Sequence, residues 1–436
     1  MSAPHGTAFP ALPAFERSLE YARHCDALDP LAPLRERFAL PHAADGEPLL
    51  YLCGHSLGLQ PHAARTRVLE ELDRWARLGA RAHEQGKHPW IDYHEHLGQA
   101  LAPLAGALPS EIVVMNSLTI NLHLMLASFY RPAGKRTRIL IEAGAFPSDR
   151  HAVASQIAWH GLDARRELIE LAPPEHSALI APQSVIEYLQ RHGERIALVL
   201  WPGVQYLTGQ AFALEPLVQA AHAVGAHIGF DLAHSIGNLP LGLHASGADF
   251  AVWCGYKYLN AGPGAIGGCF VHERHALEPR VPRLSGWWGH ERATRFEMGP
   301  QFRAAAGADG WQVSNPPILS SAPLAAALEC FQAAGFERLR AKSQALTAYL
   351  EFLLAAQEVT VLTPRERDLR GCQLSLRLRR APERARRIVR ALDAAGVVCD
   401  YREPDVVRVA PVPLYNRFVE VLRFCELLAQ ACARSP

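Results

Sequence analysis

Asp231 and Lys257 are the pair of residues on which chemistry would turn. Asp231 closes the apolar run AHIGFD (226–231), and Lys257 follows the run DFAVWCGY (249–256). Each run reads as a buried strand, so each charged group falls at a strand C-terminus, where α/β sheets gather their ligands. An aspartate and a lysine so placed, 26 positions apart (257 − 231), suit pyridoxal 5'-phosphate. The carboxylate would keep the pyridine nitrogen protonated, making the ring an electron sink, and the amine would form an imine with the aldehyde. Spacing alone leaves a second reading open: a surface lysine, and an aspartate capping a helix.

Two further segments gather at strand ends. NSLTIN (116–121) reads as a strand-to-helix junction, where free backbone N–H groups and Thr119 would hold a phosphate. FPSD (146–149) follows the next strand, and Phe146 would stack on an aromatic ring. A pair of ordinary helix caps also explains Ser117, Ser148 and Asp149. It does not explain why so many such groups collect at strand C-termini.

Two literal motifs mislead. GHSLG (54–58) matches the G-x-S-x-G of serine hydrolases, but that elbow needs a strand before the serine and a helix directly after it. Pro61, five residues on, would lack a helical N–H and clash within such a helix. Ser56 therefore reads as a loop residue. GPGAIG (262–267) matches a dinucleotide fingerprint, yet it runs into the strand-like GCFV (268–271) rather than a helix. It reads as a turn between strands.

The elements that must position these groups follow from patterning. Strand-like runs are expected at 112–115, 138–141, 197–201, 227–230, 250–253 and 268–271, with helices at 120–130, 148–160, 182–192 and 215–224. Such alternation predicts an α/β fold with a mostly parallel sheet covered on both faces. Beyond Pro316-Pro317 the expectation is two helices (320–334, 337–356), strands near 373–378, 397–401 and 406–410, and helices 382–395 and 414–433. Together these make a smaller C-terminal α/β domain. The predicted division is an N-terminal arm that joins the small domain (1–62), a large cofactor-binding domain (63–318) and the small domain (319–436). A further helix is expected near 14–25, and another from about 63 to 78.

Composition narrows the function classes. The chain has 44 Lys+Arg against 43 Asp+Glu, so no basic excess favours nucleic acid or an anionic membrane. Arg379-Arg380 and Arg384, Arg386 and Arg387 read as the solvated face of a helix. No apolar run approaches the ~18 residues of a membrane span. The nine cysteines form no CxxC pair and the 21 histidines no HExxH, so neither disulfides nor a metal site is expected. Met1 to Pro13 does not read as a secretory leader, and a reducing cytoplasm is the expected setting.

Longer strings are shared with a known family. FPSDRHAVASQ (146–156), PGVQYLTGQ (202–210), GFDLAHSIGN (229–238), DFAVWCGYKYLNAG (249–262), GWWGHE (286–291), SNPPIL (314–319), RGCQL (370–374) and VRVAPVPLYN (407–416) resemble those of the kynureninases, fold-type-I pyridoxal-phosphate enzymes. The likeness runs from about residue 48 to 430. It implies that Lys257 carries the cofactor and moves protons, and that Asp231 pairs with the ring nitrogen, supported by His234 and Asp149. It implies that Phe146 stacks on the ring, and that Leu118, Thr119 and Tyr256 contact the cofactor and its phosphate, with Tyr256 aiding proton transfer. Trp287 and Asn315 would reach the site from the partner in a homodimer. Arg408 would clamp the substrate α-carboxylate, with His83, Ser314 and Asn315 near the substrate ring and Ser56 near the pocket. The implied reaction is hydrolysis of L-kynurenine to anthranilate and L-alanine, with 3-hydroxy-L-kynurenine a second substrate, in tryptophan degradation or NAD precursor synthesis.

The chain departs from the family pattern at three places. His55 stands in a loop that usually reads GNSLG, Gly255 stands where serine is usual, and Pro202 replaces a serine that commonly contacts the cofactor. Other readings are a cysteine desulfurase, a class V aminotransferase, or a non-catalytic scaffold. A desulfurase needs a reactive cysteine about 100 residues past the lysine, and Cys330 and Cys372 bracket that distance in apolar contexts. The scaffold reading is disfavoured by intact Lys257, Asp231 and Arg408. In steady-state assays Ser56→Ala is expected to lower turnover by no more than about threefold, whereas Lys257→Ala abolishes it. Comparable losses in both variants would restore the serine as a nucleophile.

Overall fold

Strand β5 (Ile196–Pro202) is apolar on both faces and buried along nearly its whole length, which demands a sheet covered on both sides. The computed structural model, which describes residues 9–276, 281–378 and 382–434, supplies one. Seven strands lie in the order β2 (Ile112–Val114), β8 (Gly268–Val271), β7 (Phe250–Trp253), β6 (His227–Asp231), β5, β3 (Arg138–Glu142) and β4 (Leu168–Leu171). The five from β7 to β4 run parallel, and β8 is antiparallel to both its neighbours. Helices Leu118–Phe129, Pro147–Trp159, Pro182–His192 and Leu214–Ala223 join them. Val199 and Trp201 of β5 enter one core cluster, and Leu198 and Leu200 enter another.

A second sheet is antiparallel and C-terminal, in the order β12 (Asp400–Arg402), β13 (Val406–Val409), β10 (Leu374–Leu378) and β9 (Val359–Val361). Leu346 and Leu350 of helix Phe336–Leu354, Ile388 of helix Pro382–Ala394 and Phe424 of helix Phe418–Arg434 pack with its residues in a separate core. The N-terminal segment is shared: Leu31, Leu34, Phe38 and Leu59 pack in the main-sheet core, and other parts of it join this one. Tyr21 and Cys25 of helix Leu19–Leu28 sit in it, and β1 (Leu50–Tyr51) pairs in parallel with β11 (Val397–Val398).

The fold is α/β with a mostly parallel main sheet, as the pattern predicts, and differences are local. β4 and β9 escape the sequence reading because LIEL is half exposed at an edge and VTV is only three residues long. The first helix starts at Leu19 rather than near 14, because Ser18 caps it by accepting from the Tyr21 N–H at 3.1 Å. The last helix starts at Phe418 rather than 414, because Asn416 Oδ1 accepts from Val412 N at 2.7 Å and holds a turn there. Arg384 corrects the solvated-face reading: it is buried and donates to the Cys432 carbonyl at 3.0 Å, while Arg386 and Arg387 are exposed. Arg379 and Arg380 lie outside the described residues. Among the described residues no helix is long and apolar enough to cross a membrane.

One ion pair anchors the N-terminal segment. Lys342 Nζ lies 2.7 Å from Asp29 Oδ2, with both side chains almost fully buried. Burial pushes the Lys342 ammonium down, against the pull of Asp29. Lys342→Ala would strand a buried carboxylate, a loss of roughly 3–5 kcal/mol. Thermal melts should show this drop, and Asp29→Asn/Lys342→Met should recover much of it. Equal melting of wild type and Lys342→Ala would refute the anchor.

Candidate active site

The C-terminal ends of β3, β5 and β6 and two helix N-termini enclose one pocket. Its lining includes Leu118, Thr119, Phe146, Asp149, Asp231, His234, Tyr256 and Lys257, eight of the residues singled out from sequence. Leu118 and Thr119 open one helix, and Asp149 lies in the first turn of another. Neither helix has a side-chain cap on its first amides. Two uncapped N-termini side by side favour an anion. Thr119 Oγ1 and Ser148 Oγ, 2.8 Å apart, add hydroxyls at the same place.

The opposite chemistry collects around Asp231. Its Oδ1 accepts from Ala233 N at 2.7 Å, which fixes the carboxylate at the end of β6. Asp149 is buried with Oδ1 unpartnered. Burial and the charge of Asp231 hold its carboxyl well above the usual range. Lys257 Nζ lies 3.1 Å from His234 Nε2 and 5.8 Å from the Phe146 ring centre. Burial, with Lys257 and Arg408 nearby, holds the His234 ring neutral, so Nε2 can accept from the ammonium. Desolvation likewise pushes the Tyr256 hydroxyl up. A phosphate fits the helix N-termini, a protonated ring nitrogen fits the carboxyl pair with its orphaned oxygen, and an aldehyde fits Lys257. The donor set therefore matches pyridoxal phosphate group by group.

The remaining sequence candidates lie outside this pocket. Arg408 is buried behind it, with Nη1 donating to the carbonyl of Tyr206, a pocket residue, at 2.7 Å. Ser56 sits half-buried in a turn, its N–H on the Cys53 carbonyl at 2.9 Å, and the helix that follows it begins only at His62. His83 is exposed, edge-on to Trp90. Trp287 is exposed, with Nε1 donating to the Arg295 carbonyl at 3.0 Å. Ser314 and Asn315 are exposed as well. The sequence reading missed Glu142 and Tyr206. Glu142 ends β3 as Asp231 ends β6, so the same strand-end signal could have found it. Tyr206 gave no signal, since it reaches the pocket from a loop. Cys330 and Cys372 are buried and burial pushes both thiols up, which leaves neither as a reactive desulfurase cysteine.

The architecture recurs in solved structures. A cystine C–S lyase in complex with cysteine persulfide superposes with TM-score 0.75 at 19% identity, covering 89% of this chain and 98% of that one. A cysteine desulfurase of Escherichia coli gives 0.72 at 19%, covering 93% and 98%. Sheet, pocket position and donor set thus define a pyridoxal-phosphate enzyme of fold type I. Two curated proteins named kynureninase are much nearer in sequence. That of Myxococcus xanthus is 54% identical, covering 95% of this chain and 97% of its own length, and that of Xanthomonas euvesicatoria is 55% identical, covering 94% and 97%. Residues 339–428 also match the kynureninase C-terminal domain family. The chain belongs to the kynureninase family.

Glu142 generates a test. Burial first, and the charge of Asp231 second, push its carboxyl up to about 8. The unfolded chain releases this proton near the ordinary carboxylate value, so stability falls as pH rises toward about 8. Glu142→Gln removes that dependence. In melts of cofactor-free protein, the variant should gain on wild type between about pH 5 and 8, and parallel curves would show that Glu142 ionises freely.

Proposed function

We propose that this enzyme hydrolyses the Cβ–Cγ bond of L-kynurenine, giving anthranilate and L-alanine. The observation that carries the proposal is that Lys257 and the Asp149–Asp231 pair share one pocket, in a chain of this family. When bound, pyridoxal phosphate supplies the electron sink without which that carbon–carbon bond does not break. Thr119, Ser148 and the first amides of their helices would hold its phosphate. Asp231 and Asp149 would keep its ring nitrogen protonated, and Phe146 would lie against the ring. Lys257 would move a proton at the substrate Cα, and the neutral His234, 3.1 Å from its Nζ, would keep that amine oriented. Arg408 would take the α-carboxylate, which suits a guanidinium's paired donors.

We read His83, Trp287, Ser314 and Asn315 as serving the site of a second copy, because all four are exposed and outside this chain's pocket. Phe296 is also exposed, its ring 5.5 Å from that of Trp287, and Leu284, Met298 and Phe302 are exposed in the same stretch of chain, apolar surface that supports a homodimer. Polar groups at His83, Ser314 and Asn315 would accommodate the ring hydroxyl of 3-hydroxy-L-kynurenine. The expected setting is cytoplasmic, in tryptophan degradation or NAD precursor synthesis. The division 1–62, 63–318 and 319–436 is our reading of the domains, with the β1–β11 pairing in its support. Purified enzyme should show the visible absorbance of a lysine-bound pyridoxal group and, on adding L-kynurenine, release fluorescent anthranilate. An absent band, or a band without anthranilate, would overturn this function.

A further inference from the structure

Arg408 sits in a polar cluster whose other members, His55, Asp400 and Arg402, have no part in the proposed function. Asp400 of β12 and Arg408 of β13 are cross-strand partners in register, and Arg408 Nη2 donates to Asp400 Oδ2. Arg402 Nη2 reaches the same oxygen at 3.1 Å. His55 is fully buried, and its Nε2 stands 3.7 Å from that oxygen, beyond hydrogen-bond length. Among the described residues neither ring nitrogen of His55 has a hydrogen-bond partner, and neither does Arg408 Nε. Buried orphans of this kind need a reason, because each forfeits its hydration.

The geometry of a guanidinium supplies one. Nε and Nη2 form one edge of the plane, the edge that grips a carboxylate through two parallel bonds. Nη1 is already on the Tyr206 carbonyl, so this edge is the one left for substrate. Asp400 covers half of it. We propose that Asp400 is the resting occupant of the Arg408 edge that takes the substrate α-carboxylate, and that His55 is the positioning residue that receives Asp400 when substrate displaces it. The inference rests on Arg408 being the carboxylate clamp. It accounts for all three orphaned nitrogens at issue but one: Arg408 Nε and His55 Nε2 gain partners only in the exchanged state.

The electrostatics permit the exchange. Burial holds the His55 ring neutral at ordinary pH, its value lowered to about 4, so it offers a single N–H and no competing charge. His55 and Arg408 hold Asp400 ionised against its burial, well below the usual carboxylate range. Arg402 Nη2, 3.1 Å from Asp400 Oδ2, is a second cation on that carboxylate besides Arg408. Cys53 lies near His55 and Asp400, but burial pushes its thiol up to about 11 and two arginines already neutralise Asp400, which disfavours a cation there.

The test is a spectral titration of the holoenzyme with L-alanine, which bears the carboxylate, and with ethylamine, which lacks it. His55→Phe should weaken L-alanine binding by about tenfold and leave ethylamine unchanged, with His55→Gln restoring most of the loss. With L-kynurenine, KM should rise by a similar factor while kcat falls by less than about threefold. Asp400→Asn, which removes the competitor, should bind L-alanine at least as tightly as wild type. Weaker binding by Asp400→Asn, or an equal shift for both amines in His55→Phe, would overturn the exchange. Arg408→Lys separates the two levels. If it leaves L-alanine affinity unchanged, the clamp itself is wrong, whereas a large loss there with weakened Asp400→Asn condemns the exchange alone.

Discussion

Asp149 and Asp231 bring two carboxyl groups into one pocket, and burial together with the charge of Asp231 holds the Asp149 carboxyl well above its ordinary value. A fold tolerates such a pair only where it is rigidly imposed or where a cation arrives to relieve it. Here it is imposed from two directions. Asp231 is the last residue of β6, pinned by the Ala233 N–H, and Asp149 is fixed in the first turn of helix Pro147–Trp159. Neither can withdraw without dismantling its element. The strain is therefore relieved by what binds, and a protonated ring nitrogen is a cation of the right kind.

The same topology gives the pocket a polarity. Parallel strands put their C-termini on one side of the sheet, and each following helix turns its N-terminus back to that side. The Asp231 carboxylate thus shares its cavity with two uncapped helix N-termini. One end selects an anion and the other a cation. A ligand with a phosphate on one side of an aromatic ring and a basic nitrogen on another satisfies both, and few cofactors do. Lys257 then stands between, carried on the segment after β7.

This explains which parts were legible in the sequence. Asp231, Lys257, Thr119 and Phe146 are read from strand ends and junctions because the fold class fixes where strand ends point. Glu142 obeys the same rule and was overlooked only because its run ends in an acid without a motif behind it. The Arg408–Asp400 pair is different in kind. The two residues are eight positions apart (408 − 400) in the sequence, but they meet because β12 and β13 pair in one register, which no local pattern announces. His55 joins them through a still longer closure, and Arg384 is buried by a helix that packs on residue 432. Contacts set by tertiary closure stay invisible to periodicity, even where single residues look suspicious.

The GHSLG turn shows why a motif can be literal and yet mean something else. A Cβ at Gly54 would come within 2.4 Å of the Tyr415 hydroxyl, and one at Gly58 within 2.3 Å of the Lys257 carbonyl. Real side chains do not approach so closely, so both glycines are demanded by packing. Gly54 lets the turn press against the segment after β13, and Gly58 lets it press against the backbone that carries Lys257. The Gly58 N–H also donates to the Tyr256 carbonyl at 2.9 Å. Meanwhile Cys53 bridges to Ala410, and β1 pairs with β11. The turn is thus a clasp between the N-terminal segment, the C-terminal sheet and the lysine loop. Ser56 has no strand-and-helix elbow to expose it as a nucleophile, whereas His55, its neighbour, is driven inward toward Asp400 by the same closure.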